Sequence, residues 1–319
     1  MGPGPGRPEG AGGGGAQGRG GTEGCSVLFI GGPGRSGSTV LGNILNEVSG
    51  CFHAGELRAL WQVLHFDPAW TCGCGSVLTS CPVWSAVLEE VVPPGRDVRE
   101  FAGTIWQTQR DAVRNRDLPA LMGPAAAGHG DIEGYRTVLE RTYRAISRVS
   151  GADVIVDSSK APSEAAALSG LPLRSFLLRL VRDPRAIAFA WSRTNQYLVE
   201  QSLMRATARW NLHSWGADFV AHRFPGETTR VRYEDLVADP EGTVDEILCQ
   251  AGLAERGNPV HGNRAELHGN HTVAGNPDRG RTGPVTLAPD RRWETGLGRR
   301  RALLVVGLTA PLMLRYGYL

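Results

Sequence analysis

Between Val27 and Thr39 the chain passes from a short apolar run, VLFI, into the loop GGPGRSGST. Directly afterwards Val40, Leu41, Ile44, Leu45 and Val48 recur on one helical face, and Gly50 stops the helix. A wholly apolar run of this length followed by glycines predicts a strand buried on both sides in a parallel sheet. Gly32 and Gly37 stand five apart and Ser38-Thr39 follows, which is phosphate-loop spacing. Backbone N–H groups of such a loop, with the positive end of the helix behind it, form an anion cradle. The match breaks at position 38, a serine where nucleotide-hydrolysing loops carry a lysine on the β- and γ-phosphates. The cation inside this loop is Arg35 instead.

Strand and helix patterns alternate along much of the remaining chain. Strands are predicted at 51–53, 154–156, 176–181 and 229–233. Helices are predicted over Pro162–Ser169, from Asp183-Pro184 to about Tyr197, and from Asp239-Pro240 to Gly252. In the last of these Val244, Ile247, Leu248 and Ala251 share a face. Residues 58–150 read as mostly helical, with breaks at Pro93-Pro94 and Gly123-Pro124. The fold class is therefore α/β with a central parallel sheet and right-handed crossovers. Ligands of such sheets lie at the carboxyl ends of the strands. The loop Gly32–Thr39, Glu56, Lys160, Arg182 and Tyr233 all follow strands, so the active site is expected there.

Composition narrows the function. A net charge of +2 argues against a dedicated nucleic-acid binder, and no run of 18 apolar residues offers a membrane span. The longest apolar stretch, Ala302–Leu314, is broken by Gly307 and Pro311 and fits a core helix. Residues 1–24 hold 12 of the 43 glycines and read as a disordered tail without the apolar centre of a secretory signal, leaving 25–319 as one domain. Six cysteines without a signal suggest reduced thiols and a cytoplasmic protein. Cys72, Cys74 and Cys81 cluster, and zinc with Cys51 or His53 as fourth ligand is one reading. The single residue between Cys72 and Cys74 departs from ordinary zinc spacing, so plain buried or loop thiols, and no metal, are expected. Of 34 basic residues only Lys160 is a lysine, standing beside Ser158 and Ser159. Arginine binds phosphate as a fork and lysine as a compact point charge, so a lone lysine at a strand end favours a specific role.

The motifs GRSGST, VRDPRAIAFAWSR and RYEDLVADP, in that order, resemble sulfotransferases that use 3′-phosphoadenylyl sulfate (PAPS). HAGELRALW, CGCG with CPVW, VIVDSSKAP and HTVAGNPDRGR resemble the bacterial branch. The resemblance runs from Val27 to near the C-terminus. It implies a phosphate-loop three-layer fold, with 58–150 as a mostly helical acceptor-side insertion. It assigns Gly34, Arg35, Ser36, Gly37, Ser38 and Thr39 to the 5′-phosphosulfate, and Arg182 to the 3′-phosphate. Where the family places a serine eight residues after that arginine, this chain has Ala190, with Ser192 as the nearby substitute. Arg279 and Arg281 resemble a segment that closes over the nucleotide. Tyr233 resembles a tyrosine near the adenine, although a core tyrosine fits the position as well.

The same resemblance makes Glu56 the candidate base. A transferring sulfuryl group carries less negative charge than a phosphoryl group, so fixed cations such as Arg35 and Lys160 are the candidates to stabilise the leaving phosphate, and no metal is expected. Glu56 lies 21 residues after Arg35, the base spacing of tyrosylprotein sulfotransferases. His53 is the rival base, as in many small-molecule sulfotransferases, and helix capping or ion pairing is the plain role for Glu56. Trp61, Trp70, Trp84 and Trp106 are available to stack on a sugar or lipid-like acceptor or simply to pack the core. Acceptors of small-molecule, carbohydrate or lipid type all remain open, as does oligomeric state. Two rival functions stand beside this one. One is a kinase or NTPase that would use Val154–Asp157 as a Mg²⁺-supporting strand. The other is a nucleotide-binding protein without catalysis.

Overall fold

A computed structural model describes residues 1–2, 24–123, 128–193 and 202–319. Its main sheet has five parallel strands, β1 (Ser26–Gly31), β2 (Cys51–Gly55), β3 (Val154–Lys160), β4 (Arg174–Val181) and β5 (Glu227–Arg232). Their order is β2-β3-β1-β4-β5. The two-residue period of a strand sends alternate side chains of β1 into different cores. Val27 and Phe29 join Ile155 and Leu177 on one face, and Leu28 and Ile30 join Val156 and Leu178 on the other.

The helices are α1 (Ser38–Asn46), α2 (Leu60–Phe66), α3 (Pro82–Val91), α4 (Val98–Ala112), α5 (Leu118–Leu121) and α6 (Ile132–Ser150). There follow α7 (Pro162–Leu168), α8 (Pro184–Trp191), α9 (Leu203–Arg223), α10 (Tyr233–Ala238), α11 (Pro240–Gln250), α12 (Arg292–Gly296) and α13 (Arg299–Tyr316). Leu41, Ile44 and Leu45 of α1 and Val244, Ile247 and Leu248 of α11 cover one face of the sheet. Apolar residues of α2 to α7 join the core on the other face, which makes three layers. Local chemistry sets the helix starts: Asp97, Asp131, Asp183 and Asp239 each accept a backbone N–H of the first turn. Prolines occupy the first positions of α7, α8 and α11.

Several boundaries differ from the sequence expectation. β3 continues through Asp157-Ser-Ser-Lys160, because a register irregularity in β1 brings Gly31 opposite Lys160. β5 ends at Arg232, and Tyr233 opens α10 rather than closing the strand. A second, antiparallel sheet of β6 (Val260–His261), β7 (Arg264–Leu267) and β8 (Gly283–Thr286) was not anticipated. Its Val260, Ala265, Leu267 and Val285 extend the core on the α1 side. The stretch Ala302–Leu314 is helical but not a core helix. Val305, Thr309, Leu312 and Met313 are buried while Leu303, Leu304, Leu308 and Leu314 are exposed. Most of the glycine-rich tail, Pro124 and the expected helix end at Tyr197 lie outside the described residues. No described helix is long and apolar enough to cross a membrane.

Candidate active site

The loop between β1 and α1 has a shape that only its sequence permits. Gly32 (φ +136°) would put a Cβ 2.2 Å from the Leu180 carbonyl oxygen, and Gly37 (φ +94°) would put one 2.8 Å from the Tyr233 ring. Gly37 caps α1 without a side chain, and no acidic residue occupies the first turn. The free N–H groups and positive dipole of that turn are therefore left for an anion. Among the described residues, two non-glycines adopt left-handed backbone: Arg35 (φ 72°) and Lys160 (φ 67°). Such conformations cost of order 1–3 kcal/mol and cluster at functional sites. The start of the loop is tied to Lys160, since the Gly32 N–H donates to the Lys160 carbonyl at 3.1 Å.

A cavity of about 1030 Å³ opens over the carboxyl ends of the strands. Gly34, Arg35, Gly37, Ser38, Thr39, Glu56, Lys160, Arg182, Tyr233, Arg279 and Arg281 line it together. Ser36 and Ser192 do not. The Ser36 hydroxyl donates to Pro33 O at 2.7 Å, and the Ser192 hydroxyl donates to Phe189 O at 2.9 Å at the end of α8. Ala190 does reach the cavity, so the structure offers no serine in that place. In all, eight cations and three carboxylates line the cavity, although the whole chain carries a net charge of only +2. Burial and the neighbouring Arg182 push Arg35 below its ordinary pKa; burial and Arg58 do the same to Arg209. Cations crowded this way favour anions strongly.

Individual residues are held in specific ways. Lys160 Nζ donates to Glu56 Oε1 and, at 3.3 Å, to Ser158 O. The Glu56 N–H donates to Ala274 O at 2.9 Å, which fixes its backbone just beyond β2. Arg182 donates to Arg35 O at 2.9 Å and Asp290 Oδ2 at 3.2 Å, and its guanidinium lies 4.2 Å from the Tyr233 ring centroid. Tyr233 is half-buried beneath it, at the cavity rather than in the core. Arg279 donates to Thr71 O at 2.8 Å and sits over Trp70. Of the four tryptophans considered, Trp61 and Trp84 are core, Trp106 packs on Phe66, and Trp70 alone lines the cavity.

His53, the rival base, is buried away from the cavity. Its Nδ1 lies 3.1 Å from Asn43 Oδ1 and its Nε2 3.0 Å from Ser158 Oγ. Burial, aided by the Lys160 charge, drives its pKa down to about 3. The unfolded chain protonates this imidazole near pH 6.5 and the folded chain does not. Stability contributed by neutral His53 is thus present above pH ~6.5 and falls as the pH drops toward 3. His53→Gln is expected to flatten the acid limb of stability against pH, measured by denaturant titration, with little effect on catalysis. Asp157, which the kinase reading needs at a metal, is also buried. It accepts from Tyr143 OH at 2.6 Å and from Ser159 N–H at 2.8 Å, and does not line the cavity.

Sequence reasoning missed Arg58, Arg209, His213, Trp191, Asp290 and Arg292, which also line the cavity. Arg209 and His213 are four apart in α9, and that spacing on one helical face was the available signal. The cysteine cluster is also differently completed. His271, not Cys51 or His53, stands beside Cys72, Cys74 and Cys81. Cys51 begins β2, where burial raises its thiol to about 11.

A glycine loop that opens a helix at the carboxyl edge of a parallel α/β sheet, facing a cation-lined cavity, is suited to holding an anion. By sequence, residues 89–256 match the Sulfotransferase family, and the chain belongs to it. The family's reaction is sulfuryl transfer. No curated protein matches the chain. Similar solved structures include the sulfotransferase domain from the curacin biosynthetic pathway, 15% identical, covering 90% of this chain and 98% of that one with a TM-score of 0.46. The sulfotransferase domain from the Synechococcus PCC 7002 olefin synthase is 17% identical over 89% and 94%, TM-score 0.46. Sulfotransferase STF9 from Mycobacterium avium is 14% identical over 91% and 76%, TM-score 0.46. The family assignment rests on the sequence match, which spans Lys160, Arg182 and Tyr233 but not the loop, Glu56 or Arg279.

Proposed function

We propose that the protein transfers the sulfuryl group of PAPS to an acceptor hydroxyl, less readily an amine, without a metal at the reacting centre. The observation that carries this reading is Lys160. The chain's single lysine is held in left-handed backbone against the phosphate loop and reaches Glu56 across the cavity. A phosphate loop that lacks its own lysine is thereby supplied with a point charge from the neighbouring strand. The N–H groups of Gly34 to Thr39 and the Arg35 cation take the 5′-phosphosulfate, Arg182 takes the 3′-phosphate, and Arg281 belongs with Arg279 to the segment that closes over the nucleotide. Tyr233 lies beside the base.

In the transfer the acceptor oxygen forms a bond to sulfur as the bond from sulfur to the 5′-phosphate oxygen breaks. The electron pair leaves with the bisphosphate, where Lys160 and Arg35 stabilise it. The acceptor proton passes to Glu56. A sulfuryl group carries less negative charge than a phosphoryl group, so fixed side-chain cations suffice. The buried partners of Asp157 weigh against the kinase alternative. The acceptor is a small molecule, carbohydrate or lipid entering from the side of residues 58–150, and the free thiols favour a reducing, cytoplasmic setting.

The donor assignment is tested by thermal shift. Adenosine 3′,5′-bisphosphate without metal should stabilise the protein by roughly 2.7 kcal/mol at a hundredfold excess over its Kd. A response to Mg²⁺-ATP with none to the bisphosphate would overturn the donor and restore the kinase reading.

A further inference from the structure

Cys72, Cys74, Cys81 and His271 bring three sulfurs and one imidazole nitrogen within 4.8 Å of one another. Cys81 Sγ lies 3.6 Å from Cys72 Sγ, 3.8 Å from Cys74 Sγ and 3.2 Å from His271 Nδ1. Cys72 Sγ lies 3.9 Å from the same nitrogen. Around a tetrahedral zinc ion, bonds of 2.3 Å to sulfur and about 2.05 Å to nitrogen give edges of about 3.8 Å between sulfurs and about 3.6 Å between sulfur and nitrogen. The four ligand atoms already stand near the corners of that figure, and the three cysteines are free thiols. The geometry points to a structural zinc site made by Cys72, Cys74, Cys81 and His271.

The single-residue gap that argued against zinc is accommodated by a tight turn. The Gly75 N–H donates to Cys72 O and the Cys72 N–H to Ser76 O, each at 2.9 Å, so the loop doubles back between its two cysteines. Gly75 takes φ +87° there. Cys81 stands at the N-cap of α3, which fixes its backbone at the start of that helix. Three thiolates and an imidazole are a soft donor set suited to zinc, and four protein ligands leave no open position. The ion is therefore a holding ion, outside the transfer chemistry. Binding releases the three thiol protons to solvent.

What it holds is the approach to Arg279. The Gly73 N–H donates to Thr272 O at 2.9 Å, and Trp84 Nε1 donates to His271 O at 2.6 Å. These bonds already lay the segment from Asn270 along the cysteine loop, and a metal would lock the two together. It would thus set the position from which Arg279 reaches the cavity.

The test is metal content. Protein purified from zinc-containing medium without chelator should carry about one zinc per chain, released by a mercurial thiol reagent. Replacement by Co²⁺ should give the intense visible bands of a tetrahedral thiolate site. Cys74→Ser, at the most exposed ligand, should lose the zinc and weaken the Co²⁺ spectrum. Stripping the metal from the wild type should speed hydrogen exchange over 270–281, a readout independent of activity. Folded wild-type protein without zinc and without thiolate bands in Co²⁺ would sink the inference. A Cys72–Cys81 disulfide in freshly purified protein would do the same.

Discussion

Glu56→Gln is expected to lower turnover by about 10²–10⁴, the usual worth of general-base catalysis, with binding of the bisphosphate nearly unchanged. A hydroxyl is a weak nucleophile at neutral pH, so its proton must leave as the bond to sulfur forms. Glu56 stands at the carboxyl end of β2, lines the cavity and is held there by the Ala274 carbonyl. The amide keeps shape and hydrogen bonding but not basicity, so proton removal is lost while the cavity keeps its form. Glu56 also pairs with Lys160, and the amide oxygen can still accept from that ammonium. His53→Gln is the matched control. If turnover collapses in His53→Gln and survives in Glu56→Gln, the base is the histidine and the proposed mechanism fails.

Lys160→Ala should reduce turnover by about 10²–10³, the scale of losing one stabiliser of developing negative charge. The lysine sits where β3 runs past its expected end and meets Gly31, one residue from the phosphate loop. Lys160→Arg should not restore the rate, since a planar fork cannot reproduce a point charge at the same atom. Both variants keep the left-handed backbone strain, so a change in stability common to both is separable from the loss of charge. Unaltered turnover in both would reduce Lys160 to a partner that merely neutralises Glu56.

The centre of the sheet was readable in the sequence because β1, the start of β3 and much of β4 are apolar on both faces: a run such as VLFI must meet a core on either side. The loop was readable because positive φ angles at Gly32 and Gly37 leave glycine almost no alternative. Lys160 stood out because a chain that otherwise uses arginine had kept one lysine. Asp157-Ser-Ser-Lys160 was not readable as strand, since its polar residues are satisfied by long-range partners such as Tyr143 and Arg58. His271 was hidden for a similar reason. It lies 190 residues beyond Cys81, in a segment with no periodicity, and only the pairing of Gly73 with Thr272 brings it close. Asp290 and Arg292 reach the cavity from an irregular stretch that carries no motif. The second sheet escaped notice because its strands are two to four residues long.

The chain leaves the sheet at Gly55 on β2 and returns at Val154 on β3, and these two strands are direct neighbours. Everything from 57 to 153 is thus a detour whose two ends are clamped side by side. Closing a longer or shorter detour between fixed ends changes its entropic cost only slowly with length. Changes of length within that helical lobe leave the loop, Glu56 and Lys160 in registration, while the cysteine turn bonded to Thr272 ties one part of the lobe to the segment that carries Arg279. What the cavity admits on that side can then change by drift in one segment while the strand ends that carry Glu56 and Lys160 keep their places.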